Sequence, residues 1–314
     1  MRSSVPTSMA TLDVRRLRDE FREPHELVRT SDGAVLFLRH WVASGGSRSA
    51  ILLLHGITAY SEPYGKLLAE DLARAGVDVF GLDLRGHGRS DGVRGDYPSG
   101  ERLASDLGET VALLKDRFAT VVVLGHSLGI LSAAVAVRQR PDAIDGLVLL
   151  SGGRQVRPGA YAKPTARAAL KALLAVALFP RRRLIEYRRT GMVGTDDPLF
   201  NFRYSARFFS AIYGMSPGSV LKMMRRNTID SPNLKALGKR DIPVWLGIGD
   251  QDEVFAVDSA RAFFDSLPFG RKEFVVLPGG RHTSCPPGTW TPLVTWLRDR
   301  FPTMPRGGAG TPGP

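Results

Sequence analysis

A doubly wound α/β fold with a mostly parallel sheet is predicted by three observations. Short apolar runs recur along the chain, as at residues 50–54, 77–82 (broken only by Asp78), 121–124 and 146–150. Stretches with helical periodicity alternate with them, and Gly, Asp or Pro punctuates the joints. Uninterrupted apolar runs are what parallel strands covered on both faces require, and β–α alternation with right-handed crossovers winds such a sheet in both directions. A length of 314 residues and a hydrophobic fraction of 43% allow one large domain with an insertion, or two small ones.

In chain order, residues 1–24 carry mixed charge with little periodicity and read as a mobile or peripheral arm. Residues 27–29 and 35–41, joined through Ser31-Asp32-Gly33, read as a β-hairpin with its turn at Asp-Gly. A strand at 50–54 precedes a helix at 64–74 that ends at Gly76. A strand at 77–82 precedes a long amphipathic helix at 100–118. The strand at 121–124, the helix at 128–138 and the strand at 146–150 complete the first half. The rhythm then breaks for some 80 Arg-rich, Pro/Gly-punctuated residues and resumes with strands at 243–248 and 273–277 and helices at 257–267 and 289–300. The expected division is an arm at 1–24, a first core part at 25–151, a helical basic lid at 152–230, a second core part at 231–302 and a disordered tail at 303–314.

The formal net charge of +12 is concentrated. Residues 152–230 hold 15 Lys and Arg against 4 Asp and Glu, which accounts for 11 of the 12 charges. No zinc-finger, RNA-recognition or helix-turn-helix pattern accompanies them, so nucleic acid is not an expected partner. Anionic lipid headgroups and a merely solvated arginine-rich face are the two readings that remain. The single cysteine, Cys285, excludes an internal disulfide and a cysteine-based metal site. No run reaches the roughly 18 apolar residues of a membrane-spanning helix, and the N-terminus lacks a signal-peptide core. The expected address is cytoplasmic, with peripheral membrane contact as the further option.

The chemistry is signalled by Gly125-His126-Ser127-Leu128-Gly129, which closes one strand and opens a helix. A serine on so sharp a turn is thrust out of the chain, and small neighbours let the turn close. Such a nucleophile needs a base, and the base needs an acid to fix its tautomer. Of six histidines only His282 lies beyond Ser127, in a loop after the last expected strand. The acid should follow a strand between the two, and Asp250, Asp252 and Glu253 all qualify. The order Ser, acid, His is the one this kind of elbow uses. Two backbone N–H groups should receive the developing oxyanion: that of Leu128, directly after the nucleophile, and that of Ile57 in the loop His55-Gly56-Ile57-Thr58.

These motifs, together with Asp83-Leu84-Arg85-Gly86-His87-Gly88-Arg89-Ser90, Gly249-x-x-Asp252-x-Val254 and Gly280-Arg281-His282, closely resemble the α/β-hydrolase superfamily. Over about residues 27–302 the chain is similar to its monoacylglycerol lipase and lysophospholipase branch, whose domain is shared with the serine aminopeptidases. The resemblance implies an eight-stranded, mostly parallel sheet with helices on both faces and an inserted helical lid. It implies Asp252 as the acid of a Ser127–Asp252–His282 triad, Ile57 and Leu128 as oxyanion donors, and no cofactor or metal. It also implies that Arg85 and His87 organise their loop.

The expected activity is hydrolysis of a single-chain lipid ester such as a monoacylglycerol or lysophospholipid through an acyl-enzyme. A broad carboxylesterase or thioesterase for small soluble esters is the alternative within enzymes, and a catalytically silent binding protein is the alternative outside them. Phe200, Phe208 and Tyr213 in the insertion, with His55, are candidate substrate contacts. Residues 168–179 are apolar apart from Lys171, and Arg181, Arg182 and Arg183 follow. Twelve such residues either lie at a lipid interface or are buried as a lid helix against the sheet domain.

Overall fold

The computed structural model describes residues 12–161, 165–187, 196–226, 229, 231–235, 237 and 241–301. The expected tail at 303–314 and the first eleven residues of the expected arm lie outside them. Eight strands form the central sheet: β1 (His25–Arg29), β2 (Val35–Trp41), β3 (Ser49–Leu54), β4 (Asp78–Leu82), β5 (Thr120–His126), β6 (Gly146–Leu150), β9 (Val244–Gly249) and β10 (Lys272–Leu277). Their order is β1-β2-β4-β3-β5-β6-β9-β10. β1 pairs antiparallel with β2, and β2 with β4; every later pairing is parallel. The mostly parallel eight-stranded sheet expected from the sequence is present.

The apolar runs of β3, β4, β5, β6 and β9 are continuous because both faces of these inner strands are covered. On β3 and β5, Leu52, Leu54, Val121 and Val123 join one core cluster while Ile51, Leu53, Val122 and Leu124 join the other. This is the period of two that a pleated strand imposes. The first cluster lies under α3 (Gly100–Lys115), α4 (Gly129–Gln139) and α9 (Val257–Asp265), through residues such as Leu107, Val111, Val135 and Phe263. The second lies under α2 (Glu70–Arg74) and α10 (Thr291–Arg300), through Leu72, Leu293 and Trp296. The expected helix at 64–74 begins with a π-helical turn, Gly65–Ala69, before α2.

Residues 12–24 are not a free arm. Asp13 caps the short helix α1 (Val14–Asp19) by accepting from Arg16 N–H. The buried Arg18 guanidinium bonds Asp91 at 2.9 Å and the Arg89 carbonyl at 3.1 Å. Phe21 then packs edge-on against Phe37 of β2.

Between β6 and β9 the described residues form α5 (Ala166–Ala177), a two-stranded ribbon of β7 (Ile185–Glu186) and β8 (Arg203–Tyr204), α6 (Ala206–Tyr213), α7 (Pro217–Arg225) and α8 (Pro232–Lys235). Thr165 caps α5, yet Ala175 is its only buried residue. Leu170, Leu173, Leu178 and Phe179 are 42–64% exposed. The reading of this segment as a helix buried against the sheet therefore fails; its outer face meets solvent. No helix among the described residues is long and apolar enough to cross a membrane.

Candidate active site

The loops at the carboxyl ends of β3, β5, β9 and β10 meet where open α/β sheets place their ligands. Ser127 follows β5 at φ 53°, a left-handed conformation that costs about 1–3 kcal/mol in a residue other than Gly. Its N–H is tied to the Leu150 carbonyl at 2.9 Å. The small residues around it are there for space. A Cβ at Gly129 would sit 2.1 Å from the Leu54 carbonyl oxygen, and one at Gly125 would sit 2.6 Å from that of Gly129. Only hydrogen at both positions lets α4 approach β3 and β5 this closely.

Ser127 Oγ lies 3.1 Å from His282 Nε2, and His282 Nδ1 lies 2.9 Å from Asp252 Oδ2. Asp252 Oδ1 also accepts the N–H groups of Val254 and Phe255 at 2.8 and 2.9 Å. Burial alone would raise the Asp252 pKa. The hydrogen bond and charge of His282, with those two N–H groups, outweigh it and hold the carboxyl below its ordinary value. The three carboxylates left open by the sequence are now distinct. Asp250 accepts Gly279 N–H, Glu253 accepts His282 N–H, and Asp252 alone meets the imidazole.

Three further groups fix these loops. His126 Nε2 donates to the His282 carbonyl at 2.8 Å, which leaves its Nδ1 to accept the Tyr64 hydroxyl at 2.7 Å. The Tyr64 oxygen in turn accepts Gly56 N–H at 2.8 Å. His55 donates from Nδ1 to the Gly56 carbonyl at 2.9 Å and accepts Leu84 N–H at Nε2. Burial lowers the His55 pKa to about 4, so the ring is neutral at pH 7. In the Asp83–Ser90 turn, Arg85 grips Asp106 with two bonds of 2.8 and 2.9 Å and Asp32 at 2.9 Å, joining α3 to the β1–β2 turn. His87 is buried beside His55, their ring centroids 5.0 Å apart.

Ser127 and His282 open into a cleft of about 480 Å³ whose walls include Ile57, Tyr64, Leu67, Tyr161, Tyr187 and Phe200. This is the size range of small-molecule sites. Gly56 and Ile57 line it beside the nucleophile, and a Cβ at Gly56 would come within 3.2 Å of Ser127 Cβ. Leu128 opens the first turn of α4. Of the expected substrate contacts, Phe200 lines the cleft. Tyr213 instead lines a recess of about 20 Å³ that also reaches Ser127, with Ile130, Leu131 and Phe263. Phe208 is packed between His87 and Phe209, and His55 is fully buried under the loop; neither lines the cleft. Tyr161 and Tyr187, whose rings lie 4.8 Å apart, were not anticipated, because irregular segments carry no periodicity from which a wall could be read. Cys285 is half-buried, and burial with the charge of Asp252 pushes its thiol up to about 11.

Residues 45–285 match the family model described as serine aminopeptidase, S33. An uncharacterized Escherichia coli (strain K12) protein, YnbC, is 30% identical over 272 residues, covering 81% of this chain and 42% of that protein. The monoglyceride lipase of Rattus norvegicus is 33% identical over 150 residues, covering 47% of each. The matched part thus spans less than half the length of these curated relatives. Among solved structures, the Paleococcus ferrophilus monoacylglycerol lipase is 26% identical with a TM-score of 0.61, covering 84% of this chain and 99% of that one. A soluble variant of the Saccharomyces cerevisiae monoglyceride lipase, crystallised with a substrate analog, superposes with a TM-score of 0.65 at 20% identity over 91% of this chain and 96% of that one, a likeness of fold. With its sheet order, its strained serine and a family match that extends over most of its length, the chain belongs to the serine aminopeptidase S33 family of α/β-hydrolases and is similar to the monoglyceride lipases.

Proposed function

We propose that the protein is a serine hydrolase of carboxylic esters, with single-chain lipid esters such as monoacylglycerols or lysophospholipids as its substrates. The observation that carries the reading is the unbroken chain from Ser127 Oγ through His282 to Asp252 on the floor of an open cleft. Asp252 holds a proton on His282 Nδ1, so Nε2 is free to accept the Ser127 hydroxyl proton as Oγ attacks the ester carbonyl. The negative charge then develops on an oxygen facing the N–H groups of Ile57 and Leu128. His282 passes its proton to the leaving alcohol, and the ester becomes an acyl-Ser127. Water gives a proton to the same Nε2, attacks the acyl carbonyl, and releases the acid with Ser127 restored.

The lipid substrate class is supported by the apolar and aromatic cleft walls and by the likeness to monoglyceride and monoacylglycerol lipases. The solvent-facing leucines of α5, Phe179 and the following Arg181, Arg182 and Arg183 form an apolar, cationic surface of the kind that meets anionic lipid. On this reading residues 152–230 are a lid that takes the substrate from a membrane. Hydrolysis of a p-nitrophenyl ester series from acetate to palmitate, and of monoacylglycerols, tests it. Wild type is expected to prefer medium or long acyl chains, and Ser127→Ala to lose at least about a thousandfold in rate. Equal rates for the two proteins defeat the mechanism. A profile that peaks at acetate moves the assignment to a small-ester hydrolase, and turnover of aminoacyl p-nitroanilides alone moves it to an aminopeptidase.

A further inference from the structure

Residues 197–207 fasten the insertion to the loops that follow β3 and β4, while residues 154–157 bond separately to residues 254–259 after β9. Tyr60 donates its hydroxyl to Asp197 at 2.6 Å. Arg94, largely buried, bridges the Gly88 and Leu199 carbonyls. Asn201 Nδ2 donates to the Gly86 carbonyl at 2.7 Å, and Ser205 N–H donates to the Gly95 carbonyl at 3.0 Å. Asp96 accepts from Ser205 Oγ and from the Arg207 guanidinium.

The tightest part of this seam falls on Thr58, the residue after Ile57. Thr58 sits at φ 69°, a region that β-branched residues avoid. Its N–H donates to Tyr204 Oη at 2.7 Å, and its carbonyl accepts Asn201 N–H at 2.9 Å. Both backbone polar groups of this strained residue are therefore held by the insertion. Tyr204 is itself fixed. It is fully buried, its ring stacks on His87 at 5.9 Å and touches Phe208 at 4.6 Å, and its O–H donates to the Asn201 carbonyl at 3.1 Å. Burial holds the phenol pKa above its ordinary value, so the hydroxyl keeps the proton it donates.

On the other side of Ile57, the Gly56 peptide is held by core residues, its N–H by Tyr64 and its carbonyl by His55. Ile57 is thus the residue between a clamp from the core and a clamp from the insertion. We propose that Tyr204 is a positioning residue for the reaction: with the Asn201 backbone it pins Thr58 in its left-handed conformation and so aims the Ile57 N–H at the developing oxyanion. A donor aimed in advance stabilises the transition state without reorganising when charge appears. The insertion and the oxyanion loop then form one mechanical unit at this seam. The inference rests on the ester-hydrolase reading for its catalytic consequence, but the clamp itself does not.

Tyr204→Phe removes the hydroxyl and keeps the ring between His87 and Phe208. The expected result is a kcat lowered about tenfold with KM within about twofold, because the core-side clamp remains. The inhibition constant of a trifluoromethyl ketone analogue, whose adduct carries the oxyanion, should rise by the same factor. Hydrogen exchange at the Thr58 amide should accelerate at least about tenfold while the amides of β3 keep their wild-type rates. A folded variant with wild-type kcat and ketone affinity overturns the proposal, even where Tm has fallen, since a purely structural tyrosine would give that pattern. Unchanged exchange at Thr58 overturns it as well. Wild type that cleaves no ester would defeat the proposed function separately and leave the clamp to be decided by the exchange measurement.

Discussion

Asp252 Oδ2 stands 2.9 Å from His282 Nδ1 while its other oxygen is occupied by two backbone N–H groups from the following turn. The carboxylate therefore cannot swing away, and the imidazole is held as the tautomer whose Nε2 accepts from Ser127. In Asp252→Asn the two N–H groups keep the amide oxygen, and the NH₂ faces the ring. The ring would then turn its acceptor nitrogen to that amide and its N–H to Ser127. The expected outcome is a loss of about 10⁴ in kcat for any ester, with Tm little changed, read by steady-state kinetics and by the rate of fluorophosphonate labelling.

The two buried histidines His55 and His87, beside the Gly56–Ile57 loop, make stability depend on pH. His55 has its pKa lowered to about 4 by burial, and His87 is lowered well below its ordinary value by burial and by the neighbouring His55. Below about pH 6.5 the unfolded chain binds protons that the folded chain refuses, so stability is complete above that pH and declines as pH falls toward 4. For His55 the full decline is on the order of 3 kcal/mol. Among the described residues His87 Nε2 has no hydrogen-bond partner and Nδ1 meets the Arg85 carbonyl at 3.2 Å, so His87→Leu gives up one long hydrogen bond and should fold. Urea unfolding at pH 7.5 and 5.0 should give a smaller pH decrement for His87→Leu than for wild type. Equal decrements would mean that His87 does not contribute.

Two glycines separate steric necessity from tolerance. Gly129→Ala would drive a methyl into the Leu54 carbonyl at 2.1 Å, a backbone atom that has no room to yield. A loss of about 3 kcal/mol or more follows, seen as a Tm lower by roughly 5–10 °C. Gly218, in α7, has nothing among the described residues within 4 Å of the added carbon. Gly218→Ala should leave Tm unchanged or raise it slightly, because a helical Gly→Ala exchange restricts the unfolded chain. The same scan distinguishes the two outcomes.

The parts of this molecule that were legible in its sequence are those set by short-range physics. Strands buried on both faces had to be apolar runs, and the elbow had to carry glycines at 125 and 129, so the sheet and Ser127 could be read directly. The carboxylate partner of His282 could not be isolated from residue type, because Asp250, Asp252 and Glu253 follow one strand and all accept backbone N–H groups in the folded loop. Which of them meets His282 is decided by the packing of the β9 and β10 loops, a long-range matter. Arg18 was equally hidden: its partner Asp91 is 73 residues away. In the insertion, aromatic character did not separate Phe200, which faces the cleft, from Phe208, which faces His87. Both are aromatics in the same short stretch, and their partners far along the chain, Tyr60 for Phe200 and His87 for Phe208, separate them.

The outer face of α5 offers a test that needs no catalysis. Leu170, Leu173, Leu178 and Phe179 place exposed apolar area next to Arg181, Arg182 and Arg183. Wild type should sediment with vesicles containing phosphatidylglycerol more than with neutral phosphatidylcholine vesicles, and salt should weaken the binding. Leu173→Asp with Phe179→Asp should reduce it at least about tenfold at unchanged Tm. Binding unaffected by the double substitution would remove α5 from the membrane surface.

Tyr64 joins three loops through one hydroxyl. Its oxygen accepts Gly56 N–H and its proton goes to His126 Nδ1, whose ring then donates to the His282 carbonyl. Burial keeps the phenol protonated, as this direction of donation requires. Tyr64→Phe leaves the Gly56 N–H and His126 Nδ1 without their partner, at a cost of about 1–3 kcal/mol in stability. Because Gly56 adjoins Ile57, the proposed oxyanion donor, and the His282 carbonyl adjoins the proposed base, both ends of the site should loosen. The expected kinetic signature is a kcat lower by about tenfold or more with KM changed less. Tyr64→Phe combined with Tyr204→Phe should lose more than either alone but less than the product, since both clamps act on Ile57. Strict multiplicativity would mean that the two hydroxyls act on separate steps.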